Sequence, residues 1–188
     1  MALTQIEQGM LKDGILTADT AGRAKVADGF VNSAKMASGA ARANWGAGGV
    51  LQIVHNYYTP WTTTVSTSAV ASGLAASITP AATSNKVLIQ ITVAGLYNAS
   101  SSNCIFFLLY KNGSFLAYLD WDLMAAISYN GAGAAYSYLD SPATTSSTTY
   151  QLYWASNNGS TVGLNNYAGV GTNNNRTMSS MILTEVAA

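Results

Sequence analysis

The sequence predicts an all-β protein. The expected form is an antiparallel two-sheet jelly-roll-like sandwich preceded by an Ala/Gly-rich N-terminal arm, extended or short-helical. Three observations lead there. Val87, Ile89, Ile91 and Val93 alternate with Lys86, Leu88, Gln90 and Thr92, the two-residue period of a strand with one buried face. Asn112-Gly113 stands between two aromatic-rich runs, the strongest short hairpin signal a sequence offers. The composition also changes near residue 50: residues 1–49 hold nine of the sixteen charged residues but only two of the nineteen aromatics, Phe30 and Trp45.

The arm, residues 1–49, carries an internal repeat. Ala24-Lys25-Val26-Ala27-Asp28-Gly29-Phe30-Val31 is echoed ten residues later by Ala34-Lys35-Met36-Ala37-Ser38-Gly39-Ala40-Ala41, with a weaker copy at Leu11-Lys12-Asp13-Gly14-Ile15-Leu16. Asp-Gly and Ser-Gly break each copy, which predicts short helical turns and extended links in place of one long helix. A segment so poor in large side chains cannot offset its own ordering entropy by burial. Leu16, Val26, Phe30 and Met36 are the apolar anchors it offers to an axis of like copies or to a partner. Gly46-Ala47-Gly48-Gly49 reads as a hinge.

From residue 50 onward the pattern is β. Leu51, Ile53 and His55 alternate with Gln52 and Val54, and Asn112-Gly113 joins Cys104–Lys111 to Ser114–Trp121. Later strands are expected at Ala134–Leu139, Thr148–Ala155, Thr161–Tyr167 and Thr177–Val186. Ser, Thr, Asn and Gly fill the loops between them, as at Asn98–Asn103, Ser156–Ser160 and Thr172–Asn175. Seven to nine short strands in residues 50–188, with no helical period, suggest the two-sheet sandwich. Ile89, Ile91 and Phe107 or its neighbour Phe106 are the expected core.

Charge narrows the function classes. Charged residues make up only 9% of the 188, against roughly 25% in an ordinary globular protein, and eight basic side chains balance eight acidic ones. A basic field for nucleic acid is absent, so no nucleic-acid partner is expected. No apolar stretch approaches the ~20 residues of a membrane span, so no membrane partner is expected either. The start, Met1-Ala2-Leu3-Thr4-Gln5-Ile6-Glu7, lacks the basic and apolar regions of a signal peptide. A surface of hydroxyls and amides suits packing against other proteins, because few ions must be desolvated. The single cysteine, Cys104, excludes an intrachain disulfide and reads as a small buried strand residue.

Catalysis needs convergent titratable groups, and few are available. His55 is the only histidine. A two-histidine metal site is therefore impossible, and on the strand face of Leu51 and Ile53 it is expected to be a satisfied core or interface residue. Neither a Gly-x-Ser-x-Gly elbow nor a phosphate-binding Gly loop is present. The expectation is a protein that is not an enzyme, with no cofactor. Asp120-Trp121-Asp122 places two carboxylates on one strand face; a calcium site is the sharper reading, solvated loop carboxylates or pairs with Lys111 or Arg176 the blander one. Trp61, Trp121, Trp154 and the eleven tyrosines offer faces for sugar stacking, with Asn157, Asn158, Asn165 and Asn166 as amide donors. Trp121, Trp154, Asn157 and Asn158 are the glycan-contact candidates. Sandwich core and subunit interface are the competing use of the same rings.

The arm segment Leu16-Thr17-Ala18-Asp19-Thr20-Ala21-Gly22-Arg23-Ala24-Lys25, with its Ala-Lys-x-Ala-x-Gly copies, resembles the N-terminal arms of tailed-bacteriophage fibre and decoration proteins. The β part resembles their C-terminal knobs. Its matching pieces are Ser77-Ile78-Thr79-Pro80, Ser84-Asn85-Lys86-Val87-Leu88-Ile89, Leu109-Tyr110-Lys111-Asn112-Gly113, Tyr138-Leu139-Asp140-Ser141-Pro142, Thr148-Thr149-Tyr150 and Met181-Ile182-Leu183-Thr184-Glu185-Val186. The resemblance implies a homotrimeric jelly-roll knob similar in shape to the tumour-necrosis-factor fold. It also implies a virion-surface location, with synthesis in the host cytoplasm and release by lysis. The expected partners are other copies of the chain, a second virion protein such as the major capsid protein, and a host-surface glycan. The leading expectation is a capsid decoration (cement) protein or short head fibre; the alternative is a tail fibre or tailspike tip that binds a receptor. An arm of this length spans roughly 70 Å as helix and roughly 165 Å extended, enough to lie over a capsid but short for a fibre shaft. A glycan depolymerase is disfavoured by the missing paired-carboxylate motif.

Overall fold

The two-residue period of the sequence becomes a set of strands whose alternate side chains meet between two sheets. The computed structural model describes residues 16–18, 24–26, 48–123, 132–165 and 177–188. The chain divides into two compact units, Met1–Trp45 and Gly46–Ala188. In the first, β1 (Leu16–Ala18) pairs antiparallel with β2 (Ala24–Val26), and the backbone register sets Leu16 opposite Val26. Two of the four anchor candidates are thus cross-strand partners. Phe30 and Met36 lie outside the described residues.

The second unit contains β3 (Val50–Tyr58), β4 (Thr62–Thr64), β5 (Val70–Ile78), β6 (Lys86–Asn98), β7 (Ile105–Lys111), β8 (Ser114–Leu123), β9 (Ala132–Asp140), β10 (Thr148–Ser156), β11 (Val162–Leu164) and β12 (Ser179–Val186). One sheet runs β5-β10-β7-β8. The other runs β3-β12-β6, with β9 on the free side of β6 and the short β11 and β4 continuing from its end. Every described pairing is antiparallel. Of the eight long strands, the first sheet takes the second, seventh, fourth and fifth in chain order. The second sheet takes the first, eighth, third and sixth. That interleaving is the jelly roll, two nested Greek keys.

Local chemistry explains the joints. Asn112 and Gly113 both have positive φ, 49° and 79°, as the two-residue hairpin between β7 and β8 requires. The Asn112 carboxamide accepts the Thr149 N–H at 2.8 Å, tying this turn to β10. Val70–Ile78 is a strand without a strong strand composition: Ala, Ser and Gly fill it, and only Val70, Leu74 and Ile78 are large. Gly73 is required there. Its φ is +97°, and a Cβ at this position would fall on the ring of Tyr58.

The core forms where the sheets face each other. Val87, Ile89, Ile91 and Val93 of β6, with Met181 and Leu183 of β12, meet Phe107 and Leu109 of β7 and Tyr150, Leu152 and Trp154 of β10. Most polar groups inside are satisfied by neutral partners, and buried Asp140 is paired with Lys111. The fully buried Glu185 carboxylate accepts hydrogen bonds from the Ala81 N–H at 2.7 Å, from Asn85 at 2.6 Å and from Gln52, pinning the β5–β6 loop to β12. Buried Asn165 donates to the carbonyls of Tyr58 and Pro60 and accepts from Ser179, joining the ends of β3, β11 and β12.

The structure takes His55 out of the core and leaves only the interface half of its expectation. Its strand inserts Val54 and Tyr58 toward the core, and the face of Ile53, His55 and Tyr57 is the outer one. His55 is exposed, its ring 4.1 Å from that of Tyr57. The inward positions of β3 include the amides of Gln52 and Asn56, which bond the Thr79 and Ala75 carbonyls. The apolar-rich side of this strand is therefore not its buried side.

A core assembled this way makes two tryptophans unequal. Trp154→Ala is expected to lower unfolding free energy by ~3–5 kcal/mol, the usual cost of deleting a buried aromatic. Trp61→Ala, at a ring more than half exposed, is expected to change it by about 0.5 kcal/mol or less. Urea unfolding of the two variants distinguishes these outcomes; equal losses contradict the packing.

Candidate functional site

The outer faces of the two sheets differ in kind. On the β3-β12-β6-β9 sheet, successive cross-strand rows are Ile53–Thr184–Leu88–Leu139, His55–Ile182–Gln90–Ser137 and Tyr57–Ser180–Thr92–Ala135. No Asp, Glu, Lys or Arg stands in these rows, and Lys86 lies beyond them at the end of the same face. Ile53 is 64% exposed, and Tyr57 and Leu139 are also more than half exposed.

The outer face of the β5-β10-β7-β8 sheet is aromatic. Tyr110 stacks on Tyr153 with ring centroids 3.8 Å apart, and Phe115 meets Tyr110 edge-on at 6.0 Å. Phe115 lies 4.8 Å from Tyr118, and Tyr118 stands 4.9 Å from Trp121. Trp121 in turn stacks on Phe106 at 4.5 Å. The six rings form one connected series. Its strand register explains what lies in the middle: Leu108 pairs with Tyr118 on one side and Tyr153 on the other. Leu108 points away from the core yet is only 7% exposed, because neighbouring rings cover it. The series is a small second hydrophobic cluster, but Phe115, Tyr118 and Trp121 on β8 remain 49%, 58% and 59% exposed.

Polar groups gather at the Trp121 end. Ile105 pairs with Ser156 of β10 and Leu123 of β8, so Asp122 and the loop starting at Asn157 lie at the same end of the sheet. Asp122, Asn157 and Asn158 are exposed. Cys104 links the two sides: the Asn157 amide reaches its Sγ at 3.9 Å, and the Asp122 carboxylate is its hydrogen-bond partner. Asn158 is committed to the fold, donating to the Ser102 carbonyl of the β6–β7 loop and accepting from the Ser160 N–H. Burial first, then the Asp122 carboxylate, push the Cys104 thiol up to about 11.

Of the four glycan-contact candidates, Trp121, Asn157 and Asn158 come together at this end. Trp154 does not. It is fully buried, on the inward face of β10 opposite Phe107, so its ring has no face free for a ligand. Asn165 is buried as well and bonded to the fold, and Asn166 lies outside the described residues. The contributions of Tyr118, Phe115 and Phe106 were not singled out from sequence. The signal for them was present in the alternation of Cys104–Trp121, where a strand with rings on both faces must expose one set.

The remaining acids serve the fold. Asp120 accepts the Tyr136 hydroxyl at 3.0 Å and the Asp122 N–H at 3.2 Å. Asp140 binds Lys111 at 2.9 Å and accepts the Tyr150 hydroxyl at 2.7 Å. Among the described residues no group of three or more His, Cys, Asp or Glu side chains is placed to hold a metal ion. Arg176 lies outside them.

No family model matches the chain, and no curated protein matches it. Among solved structures it is similar to the VP2 subviral particle of infectious bursal disease virus, with a TM-score of 0.40 and 9% identity. That match covers 72% of this chain and 38% of the other, so the chain spans a little over a third of that protein's length.

The carboxylate–phenol pairs set a pH limit. Burial, with Asp120 and Asp140 respectively, raises the Tyr136 and Tyr150 hydroxyls well above their ordinary value. The unfolded chain releases these protons first, near pH ~10. Their contribution to stability is therefore complete below that value and declines as pH rises beyond it. Thermal unfolding between about pH 8 and about pH 11 should show a falling midpoint above the tyrosine range, less steeply in Tyr136→Phe. An unchanged midpoint contradicts the assignment.

Proposed function

We propose that this chain is a non-enzymatic structural protein of a virion surface, a homotrimeric knob whose N-terminal arm docks on the particle. The observation that carries the reading is the charge-poor outer face of the β3-β12-β6-β9 sheet, where Lys86 stands at one end and Ile53, Tyr57 and Leu139 are exposed. A lone subunit leaves that face open to water. Packing it against another copy removes apolar area from water without stripping ions of their solvation. The knob's described residues contain six charged side chains, and Lys111, Asp140, Asp120 and Glu185 are engaged in holding the fold. The arm's resemblance to those of phage decoration and fibre proteins supports a capsid decoration (cement) protein or short head fibre, with the major capsid protein as docking partner. In that reading the protein is made in the host cytoplasm and released by lysis. A tail fibre or tailspike tip is the second reading, favoured by the exposed rings of β8, which suit adhesion to a receptor.

Sedimentation of the full chain at micromolar concentration is expected to give a trimer, and Ile53→Asp with Leu139→Asp to give folded monomers. A monomeric parent chain overturns the assembly. Co-sedimentation with particles stripped of this protein tests the arm: the chain lacking residues 1–49, or carrying Phe30→Asp and Met36→Asp, should fail to bind. Undiminished binding by the armless knob places the docking surface on the sandwich.

A further inference from the structure

We propose that the end of the sandwich where the chain enters β3 is a second docking surface, for the same virion protein that the arm binds. The inference rests on the reading of the arm as the attachment device. It is carried by position, by rigidity and by surface chemistry.

The strand registers set the position. Val186 pairs with Val50 and Lys86, Val87 with Asp140, Thr148 with Ile78 and Lys111 with Ser114. The β5–β6 loop (79–85), the β7–β8 turn (112–113) and the β9–β10 loop (141–147) therefore share one end of the sandwich. The chain enters the knob at the same end. The Gly48 N–H donates to the Ala187 carbonyl at 2.8 Å, and the Ala187 N–H donates to the Gly49 carbonyl at 2.8 Å. These bonds carry the β3–β12 pairing past Val50, so the second half of the expected Gly46–Gly49 hinge is tied to β12. A partner gripped by a segment that leaves from this end meets the three loops at high effective concentration.

The loops are fixed before any partner arrives. Fully buried Glu185 accepts from the Ala81 N–H at 2.7 Å and from the Asn85 amide at 2.6 Å. Burying a carboxylate without a cation is unfavourable by itself; its effect here is to hold a surface loop. Asn112 is bonded twice to Thr149, through its own N–H at 2.9 Å and through its side-chain carbonyl at 2.8 Å. Lys111 and Asp140 join β7 to β9, one strand from each sheet. Within the β9–β10 loop the Ser146 N–H donates to the Thr144 hydroxyl at 3.0 Å, and the Thr148 hydroxyl donates to the Ser146 carbonyl at 3.2 Å. Loops already ordered lose little freedom on association.

The surface they present is neutral. Thr83, Ser84, Ser141, Thr145 and Ser146 are exposed, and Lys86 is the one exposed charge at this end among the described residues. Hydroxyls both donate and accept. A contact built from them strips few ions of solvation. The partner it fits is an uncharged polar protein surface.

The test is co-sedimentation of the full chain with particles stripped of this protein. Ser84→Arg with Thr145→Arg should weaken binding by about tenfold or more, because the contact would bury unpaired charge. The thermal midpoint should not change. Ser101→Arg, in the β6–β7 loop at the opposite end, should bind as the parent does. Hydrogen exchange of the free chain should show the Ala81, Asn85 and Thr149 amides protected. Undiminished binding by the double variant, an equal loss in Ser101→Arg, or unprotected loop amides overturns the proposal. The armless knob separates the two readings. If it binds as the full chain does while the double variant fails, the arm is not the anchor and the end surface stands. If it fails while the double variant binds normally, the arm stands and the end surface falls.

Discussion

Everything in the second unit depends on the pleat of two adjacent strands, β7 and β10, which carry aromatic side chains on both faces. Phe107, Tyr150 and Trp154 point inward and are fully buried; Phe106, Tyr110 and Tyr153 point outward. A slip of one residue would exchange the two sets and present the wrong rings to the core. The register is held by the β7–β8 turn, where Asn112 bonds the backbone of Thr149 on β10. With the inner set fixed against Ile89, Ile91 and Met181, the outer set is left free to do something else.

Low charge shapes the rest. A chain with so few ions cannot fix its loops by salt bridges, and here amides and hydroxyls do that work. Glu185 is bound by neutral donors and not by a cation in the bonds that hold it. Asn98, Asn103 and Ser156 interlock the β6–β7 and β10–β11 loops. Such bonds inside a low-dielectric region are strong when complete and costly when broken. The surface left over is hydroxyl, amide and aromatic, which is why the outer faces of the sheets carry the functional argument.

Much of this was legible in the sequence. The β6 alternation and the Asn112-Gly113 turn mark β6 and the β7–β8 hairpin, and Ile89, Ile91 and Phe107 are buried as expected. Val70–Ile78 was not legible, because small residues fill it and its Gly73 answers to the ring of Tyr58, a contact made only in the folded chain. The core alternative for His55 fails for a related reason: the inward positions of β3 include Gln52 and Asn56, whose amides bond Glu185 and the Ala75 carbonyl, while Ile53 is exposed. Among the tryptophans, sequence could not separate Trp121 from Trp154. Strand parity decides it, and parity is visible only once the register with Phe107 is known.

The claim that the pleat sorts aromatic rings into a core set and an exposed set is tested most directly by hydroxyl-radical footprinting of the folded full chain with mass-spectrometric readout. The account predicts rapid oxidation of Trp121, Tyr118 and Phe115 and protection of Trp154, Tyr150 and Phe107. Oxidation of Trp154 at a rate matching Trp121, in protein that remains folded, would contradict it.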